Sequence, residues 1–159
     1  MIVFDVDQVL SKYSNMVYKI ALSHTEQQQD AEDVFQEVFL RLVKYKMTIN
    51  NEEHLKAWLI RVTLNCCKDL FSNPWRKAQA ELPEDIPESE EDTHEDIYAF
   101  VKELPEKYRT VIHLYYYEEL SVKEIAQILD ENESTVKSKM SRARKMLEKK
   151  IKIEEQRKC

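Results

Sequence analysis

Apolar residues recur at three- and four-residue spacing along almost the whole chain, and no alternating strand pattern competes with them. Val6, Val9, Leu10, Tyr13, Val17 and Ile20 make a first stripe. Phe35, Val38, Phe39 and Leu42 make a second, on a helix that Asp30 is placed to cap. Asn50-Asn51 marks a loop, and a third helix is predicted from about Leu55 to Phe71, ending before Pro74. On its wheel Leu55, Trp58, Leu59, Val62, Cys66 and Leu70 form one apolar face, while Ile60, Leu64, Cys67 and Phe71 form another, roughly opposite. Arg61, Asn65, Lys68 and Ser72 are left on a polar ridge about 60° wide. A helix buried on two sides does not usually keep such a ridge without a partner. Arg61 and Asn65 can donate to phosphates and to base edges, so nucleic acid is the candidate, weighed against a merely solvated face.

Further along, Ile97, Val101 and Leu104 begin a second apolar cluster, and Pro105 opens a helix that uses Tyr108, Val111, Ile112 and Tyr115. Ser121 to Lys150 then reads as a helix-turn-helix. Ser121 and Glu124 are spaced as a capping box, and Ile125, Ala126, Ile128 and Leu129 form the first apolar face. Asp130-Glu131-Asn132 is the turn, with Asn132 able to cap a second helix that buries Val136, Met140, Ala143 and Leu147. The other faces of that helix carry Lys137, Ser138, Lys139, Ser141, Arg142, Arg144 and Lys145, the equipment of a helix that enters a DNA major groove. The bland alternative is an amphipathic hairpin with a solvated basic face. The expected fold is all-α: a helical domain over 1–76, a flexible acidic linker over 77–95, and a helix-turn-helix domain over 96–159.

Net charge changes this picture only after it is located. The whole chain carries −6, which looks wrong for a nucleic-acid binder. Nine acids and no Lys or Arg lie between Glu81 and Asp96, and without those nine the chain carries +3. Pro83, Pro87 and the acid run make that stretch too charged to bury a core, so it reads as a mobile linker. There is no glycine at all, so left-handed turn positions must fall to Asn, Asp or Ser. Cys66, Cys67 and Cys159 offer no CxxC, and the four histidines do not cluster, so neither metal nor cofactor is expected. Reduced thiols in a cytosol fit best. No apolar run approaches membrane-spanning length, and Asp5 and Asp7 argue against a secretory signal.

Four blocks together carry a resemblance: DAEDVFQEVFLRLVKY (30–45), LKAWLIRVTLNCCKDL (55–70), LPEKYRTVIHLYYYEELSVKEIAQIL (104–129) and STVKSKMSRARKML (134–147). In this order they resemble a bacterial RNA polymerase sigma factor of the extracytoplasmic-function group, a cytoplasmic and non-enzymatic specificity subunit. The resemblance implies core RNA polymerase (β′ coiled coil and β flap) and promoter DNA as partners, with an anti-sigma factor common in the family. It implies that Asp33, Gln36, Glu37 and Leu40 contact the β′ coiled coil. Arg61 and Asn65 match the family's Arg-x-x-x-Asn facing the −10 element, with Lys68 on the same ridge. The loop holding Asn50, Asn51 and His54 lies where relatives receive a flipped base. Lys137, Ser138, Ser141 and Arg142 match positions that read the −35 element, and Lys139, Arg144 and Lys145 are assigned to phosphates. The acidic linker resembles the family's connector, which threads the polymerase near its RNA path. Where relatives often carry Gly-Ile-Pro-x-Gly, this turn reads Asp130-Glu131-Asn132-Glu133-Ser134, so Asp130 must adopt a conformation natural to glycine.

Two other classes compete. A stand-alone helix-turn-helix regulator would use its N-terminal helices only to dimerise or sense, which leaves the Arg61/Asn65 ridge without a use. A thiol switch or enzyme built on Cys66 and Cys67 lacks any accompanying His, Asp or Ser constellation, and apolar-face cysteines are usually packing.

Overall fold

The computed structural model describes residues 5–25, 27–45, 51–72 and 94–157, and every regular element among them is helical. The chain divides into two compact units, Met1–Pro87 and Glu88–Cys159. Most of the acidic stretch expected as a linker lies outside the described residues.

The first unit packs three helices, α1 (Val6–His24), α2 (Gln28–Tyr45) and α3 (Glu52–Ser72), each against the other two. Asp5 caps α1 by accepting the Asp7 N–H at 3.0 Å. The far end of α1 is closed by hydroxyls: Ser23 Oγ donates to the Ile20 carbonyl at 2.7 Å and Thr25 Oγ1 to the Ala21 carbonyl at 2.8 Å, satisfying acceptors that a helix end leaves open. The core joins Val9, Tyr13, Val17 and Ile20 to Ala31, Val34, Val38 and Leu42, with Val6, Leu10 and Phe35 only half-buried. Helix α2 starts two residues before Asp30, which therefore sits in the first turn rather than at the cap. Gln28 and Gln29 extend it because each side-chain amide donates one turn ahead, to Glu32 and Asp33, both at 3.3 Å.

Helix α3 corrects the two-stripe expectation. Thr63 is fully buried between the two predicted faces, its hydroxyl satisfied by the Leu59 carbonyl at 2.6 Å. Leu55, Cys66, Leu59, Thr63, Cys67, Ile60 and Leu64 therefore form one continuous buried arc of about 180°, fed by α1 on one side and α2 on the other. The helix begins at Glu52, three residues earlier than expected. Asn51 is its cap, taking the His54 N–H on its side chain at 2.7 Å and the Leu55 N–H on its carbonyl at 2.9 Å.

The second unit runs α4 (His94–Lys102), α5 (Glu106–Ile112), a π-helical turn (His113–Tyr117), α6 (Val122–Leu129) and α7 (Glu133–Arg157). Pro105 stands before α5 as expected. The widening at His113 was not predicted. The imidazole is buried and stacked on Tyr117, its Nδ1 3.1 Å from the Tyr98 hydroxyl and its Nε2 3.1 Å from Glu118 Oε1. A looser turn gives this polar ring room to meet partners on both sides.

Among the described residues two have positive φ, Glu119 and Asp130, both at 56°. Asp130 is the type expected in a chain without glycine, but Glu119 is not, since its longer side chain offers less local support for that conformation. Glu119→Gly is expected to raise unfolding stability by about 0.5–1 kcal/mol, and Asp130→Gly by less. Urea denaturation checks this; a loss of stability in both variants would refute the strain assigned to these turns.

Candidate nucleic-acid interface and docking face

The helix-turn-helix is built from its caps inward. Glu124 N–H donates to Ser121 Oγ and Ser121 N–H to Glu124 Oε1, both at 3.1 Å, completing the capping box of α6. Asp130 turns left-handed (φ 56°, ψ 49°), and both its N–H and that of Glu131 reach the Ala126 carbonyl. The Val136 N–H then bonds the Asn132 carbonyl at 3.1 Å, which puts Asn132 at the cap position of α7 as expected. Val136, Met140 and Ala143 are buried against the body of the unit. Ser138, Ser141, Arg142 and Lys145 are exposed on the opposite side within an arc of about 100°, with Lys137 exposed at its margin.

Three of the seven residues read as DNA-facing, Lys139, Arg142 and Arg144, have partners within the unit. Lys139 is ion-paired with Glu131 and its side chain is only 20% exposed. Arg144 donates from Nε to the Tyr116 hydroxyl at 2.8 Å and lies over the rings of Tyr115 and Tyr116, 5.8 and 5.7 Å from their centroids. Arg142 hydrogen-bonds the Tyr108 hydroxyl and, with Lys107 beside it, holds that phenol below its ordinary pKa. Lys145 stands exposed. Behind α7 a groove of about 540 Å³ is lined by Ile97, Val101, Ile112, Tyr116, Leu147 and Ile151. Ile97, which the sequence places in the apolar cluster, and Tyr116 are about half exposed there.

In the first unit, Arg61, Asn65 and Lys68 are exposed along one side of α3, and His54 is exposed in its first turn. Asn51 is engaged as the cap of that helix. Asn50 lies outside the described residues, and the side chain of Ser72 is likewise not described. Exposed Asp69 joins the same surface and pairs with Arg41 at 3.8 Å. On α2, Gln36, Glu37 and Leu40 are exposed and Asp33 is half-buried. Glu37 accepts from Arg41 Nε at 3.0 Å. Leu40 is 59% exposed, and Val43, which sequence reading missed, is 50% exposed beside it. Two aliphatics off the core stripe of one helix were the available signal.

Cys66 and Cys67 are buried, and burial pushes the Cys66 thiol above its ordinary pKa against the opposing influence of Arg41. Among the described residues no group of three or more His, Cys, Asp or Glu could hold a metal, and no helix is long and apolar enough to cross a membrane.

The family model "Sigma-70 region 2" matches residues 9–77, and "Sigma-70, region 4" matches residues 94–147. The chain is 31% identical to RNA polymerase sigma factor SigV of Bacillus subtilis (strain 168), over 82% of this chain and 81% of that protein. It is 30% identical to the ECF RNA polymerase sigma factor SigM of the same organism, over 89% of this chain and 92% of that one. In fold it is similar to the sigma factor RpoE crystallised with the anti-sigma factor NepR from Bartonella quintana. That match has a TM-score of 0.76 and 23% identity, and covers 95% of this chain and 99% of that one.

The buried thiols generate an expectation of their own. Cys66 and Cys67 should resist iodoacetamide at neutral pH in the native protein and react fully once it is unfolded in urea, as read by peptide mass spectrometry. Rapid native labelling of either would refute their packing role.

Proposed function

We propose, on the premise that this chain belongs to the sigma-70 family of RNA polymerase sigma factors and to its extracytoplasmic-function type, how its surfaces divide the work of directing core RNA polymerase to promoters. The α2 face of Asp33, Gln36, Glu37 and Leu40, extended by Val43, docks on the β′ coiled coil. What supports this is the pairing of exposed aliphatics with flanking acids on the side of α2 turned away from its core. The α3 ridge of Arg61, Asn65 and Lys68 meets the −10 element. Asn50, Asn51 and His54 border the flipped-base site, Asn51 contributing by fixing the first turn of α3.

The −35 element is read by Lys137, Ser138, Ser141 and Arg142, while Lys145 contacts phosphate. The observation that carries this reading is the outward arc of α7, presented opposite a buried seam and directly after a left-handed turn. The apolar groove behind α7 receives the β flap. An anti-sigma protein is a further partner, by analogy with the solved complex of a similarly folded sigma factor. This work takes place in the cytoplasm. A stand-alone regulator would leave the α2 face and α3 ridge without a use.

Asp33→Ala combined with Leu40→Ala is expected to weaken core polymerase binding at least fivefold, since truncating central contacts of an interface costs about 1 kcal/mol or more. Fluorescence anisotropy measures it, and circular dichroism should show unchanged helicity. Equal affinity would remove the docking assignment. Arg142→Ala should relax base preference at particular −35 positions by about 1–3 kcal/mol, whereas Lys145→Ala should weaken all promoters alike and lower the salt slope by about 0.9. Identical profiles across a base-substitution series would overturn that division.

A further inference from the structure

Glu131 is the turn residue between the two helices of the helix-turn-helix, and it reaches forward rather than outward. Its N–H is held by the Ala126 carbonyl at 2.9 Å, immediately after the left-handed Asp130. Its Oε1 takes the ammonium of Lys139, eight residues on, in the second turn of α7. The two side chains are 28% and 20% exposed. The other carboxylate oxygen, Oε2, is buried and accepts no hydrogen bond, so among the described residues Lys139 is the donor on which this carboxylate depends. Ser138, Ser141, Arg142 and Lys145 on the outward arc are exposed.

A lysine that meets phosphate adds affinity without sequence information, because every duplex offers the same backbone. To do so here, Lys139 would have to abandon a half-buried carboxylate that has no other donor. That leaves an unpaired acid in the very turn that approaches the DNA, an exchange unfavourable to the complex.

We propose that Glu131 masks Lys139 from the DNA phosphates, so that the recognition helix approaches its promoter with one sequence-blind cation withheld and discriminates better between promoter and bulk DNA. Glu131 is thus a specificity-determining residue that acts through Lys139. The proposal rests on the reading of α7 as the −35 helix. It makes the phosphate role first assigned to Lys139 a latent one.

The test is the salt dependence of binding by the reconstituted holoenzyme, on a promoter duplex and on a duplex of scrambled sequence. Lys139→Met should weaken binding to both duplexes alike, through the unpaired Glu131 it leaves, without the loss of about 0.9 in the slope of log K against log salt that a lost phosphate contact brings. Glu131→Gln should steepen that slope by about 0.9 and raise affinity for the scrambled duplex several-fold, and the double variant should return both to wild type. Thermal melts identify any variant that fails to fold, and the double variant, lacking both charges, keeps the comparison available if Lys139→Met alone is unstable. A slope lowered by about 0.9 in Lys139→Met, or a Glu131→Gln variant indistinguishable from wild type, overturns the masking. Lys145→Ala serves as the control: a flat result there counts against the assignment of α7, while the Glu131→Gln arm still decides the pair.

Discussion

Cores this small cannot hide a helix on all sides, so whatever each helix buries dictates what its remaining surface presents. In the first unit α3 lies against both neighbours and gives up about half its circumference, which leaves Arg61, Asn65 and Lys68 together on the other half. Helix α2 spends Val34, Val38 and Leu42 inward and so turns Leu40 and Val43 outward. In the second unit Val136, Met140 and Ala143 fix the rotation of α7 and thereby choose which serines and cations face away. The surfaces proposed for interaction are the complements of the cores. A substitution that rotated one helix would move both at once.

The outward polar groups are also held in place from behind. Tyr108 hydrogen-bonds Arg142, Tyr116 accepts from Arg144, and Arg41 joins Glu37 to Asp69 across α2 and α3. Long side chains lose much rotamer freedom on binding, so a guanidinium already stacked and bonded has less left to lose. Exposed pairs of this kind add little to stability. Their effect lies in limiting the orientations offered to a partner.

Much of this could be read from the chain. The capping box at Ser121 and Glu124, the left-handed Asp130 and the seam of α7 follow from local chemistry, and local chemistry is written in adjacent residues. The family itself was legible from four ordered blocks. Failures came where a residue's partner is distant or its type misleads. Counting apolar positions left out Thr63, because the hydroxyl that looks polar in sequence is satisfied within its own helix. Asp30 looked like a cap, but glutamine pairs carried α2 past it. Asn51 looked like loop and is a cap. The groove behind α7 depends on how α4, α5 and α7 converge, and the pairing of Glu131 with Lys139 on how the turn sets α7 after α6; periodicity says nothing about either.

The π turn at His113–Tyr117 can be regarded as an α-helical turn that has accepted one extra residue. That residue shifts the phase of everything after it by about 100°, more than a quarter of a revolution. The three consecutive tyrosines lie within this turn and face different ways, Tyr117 against His113, and Tyr115 and Tyr116 beneath Arg144. Seen this way, His113 is a setting of helical phase. Chains that lack the inserted residue would have to recover the lost rotation elsewhere, and an alignment that slides across this turn without a gap would pair tyrosines that occupy different faces.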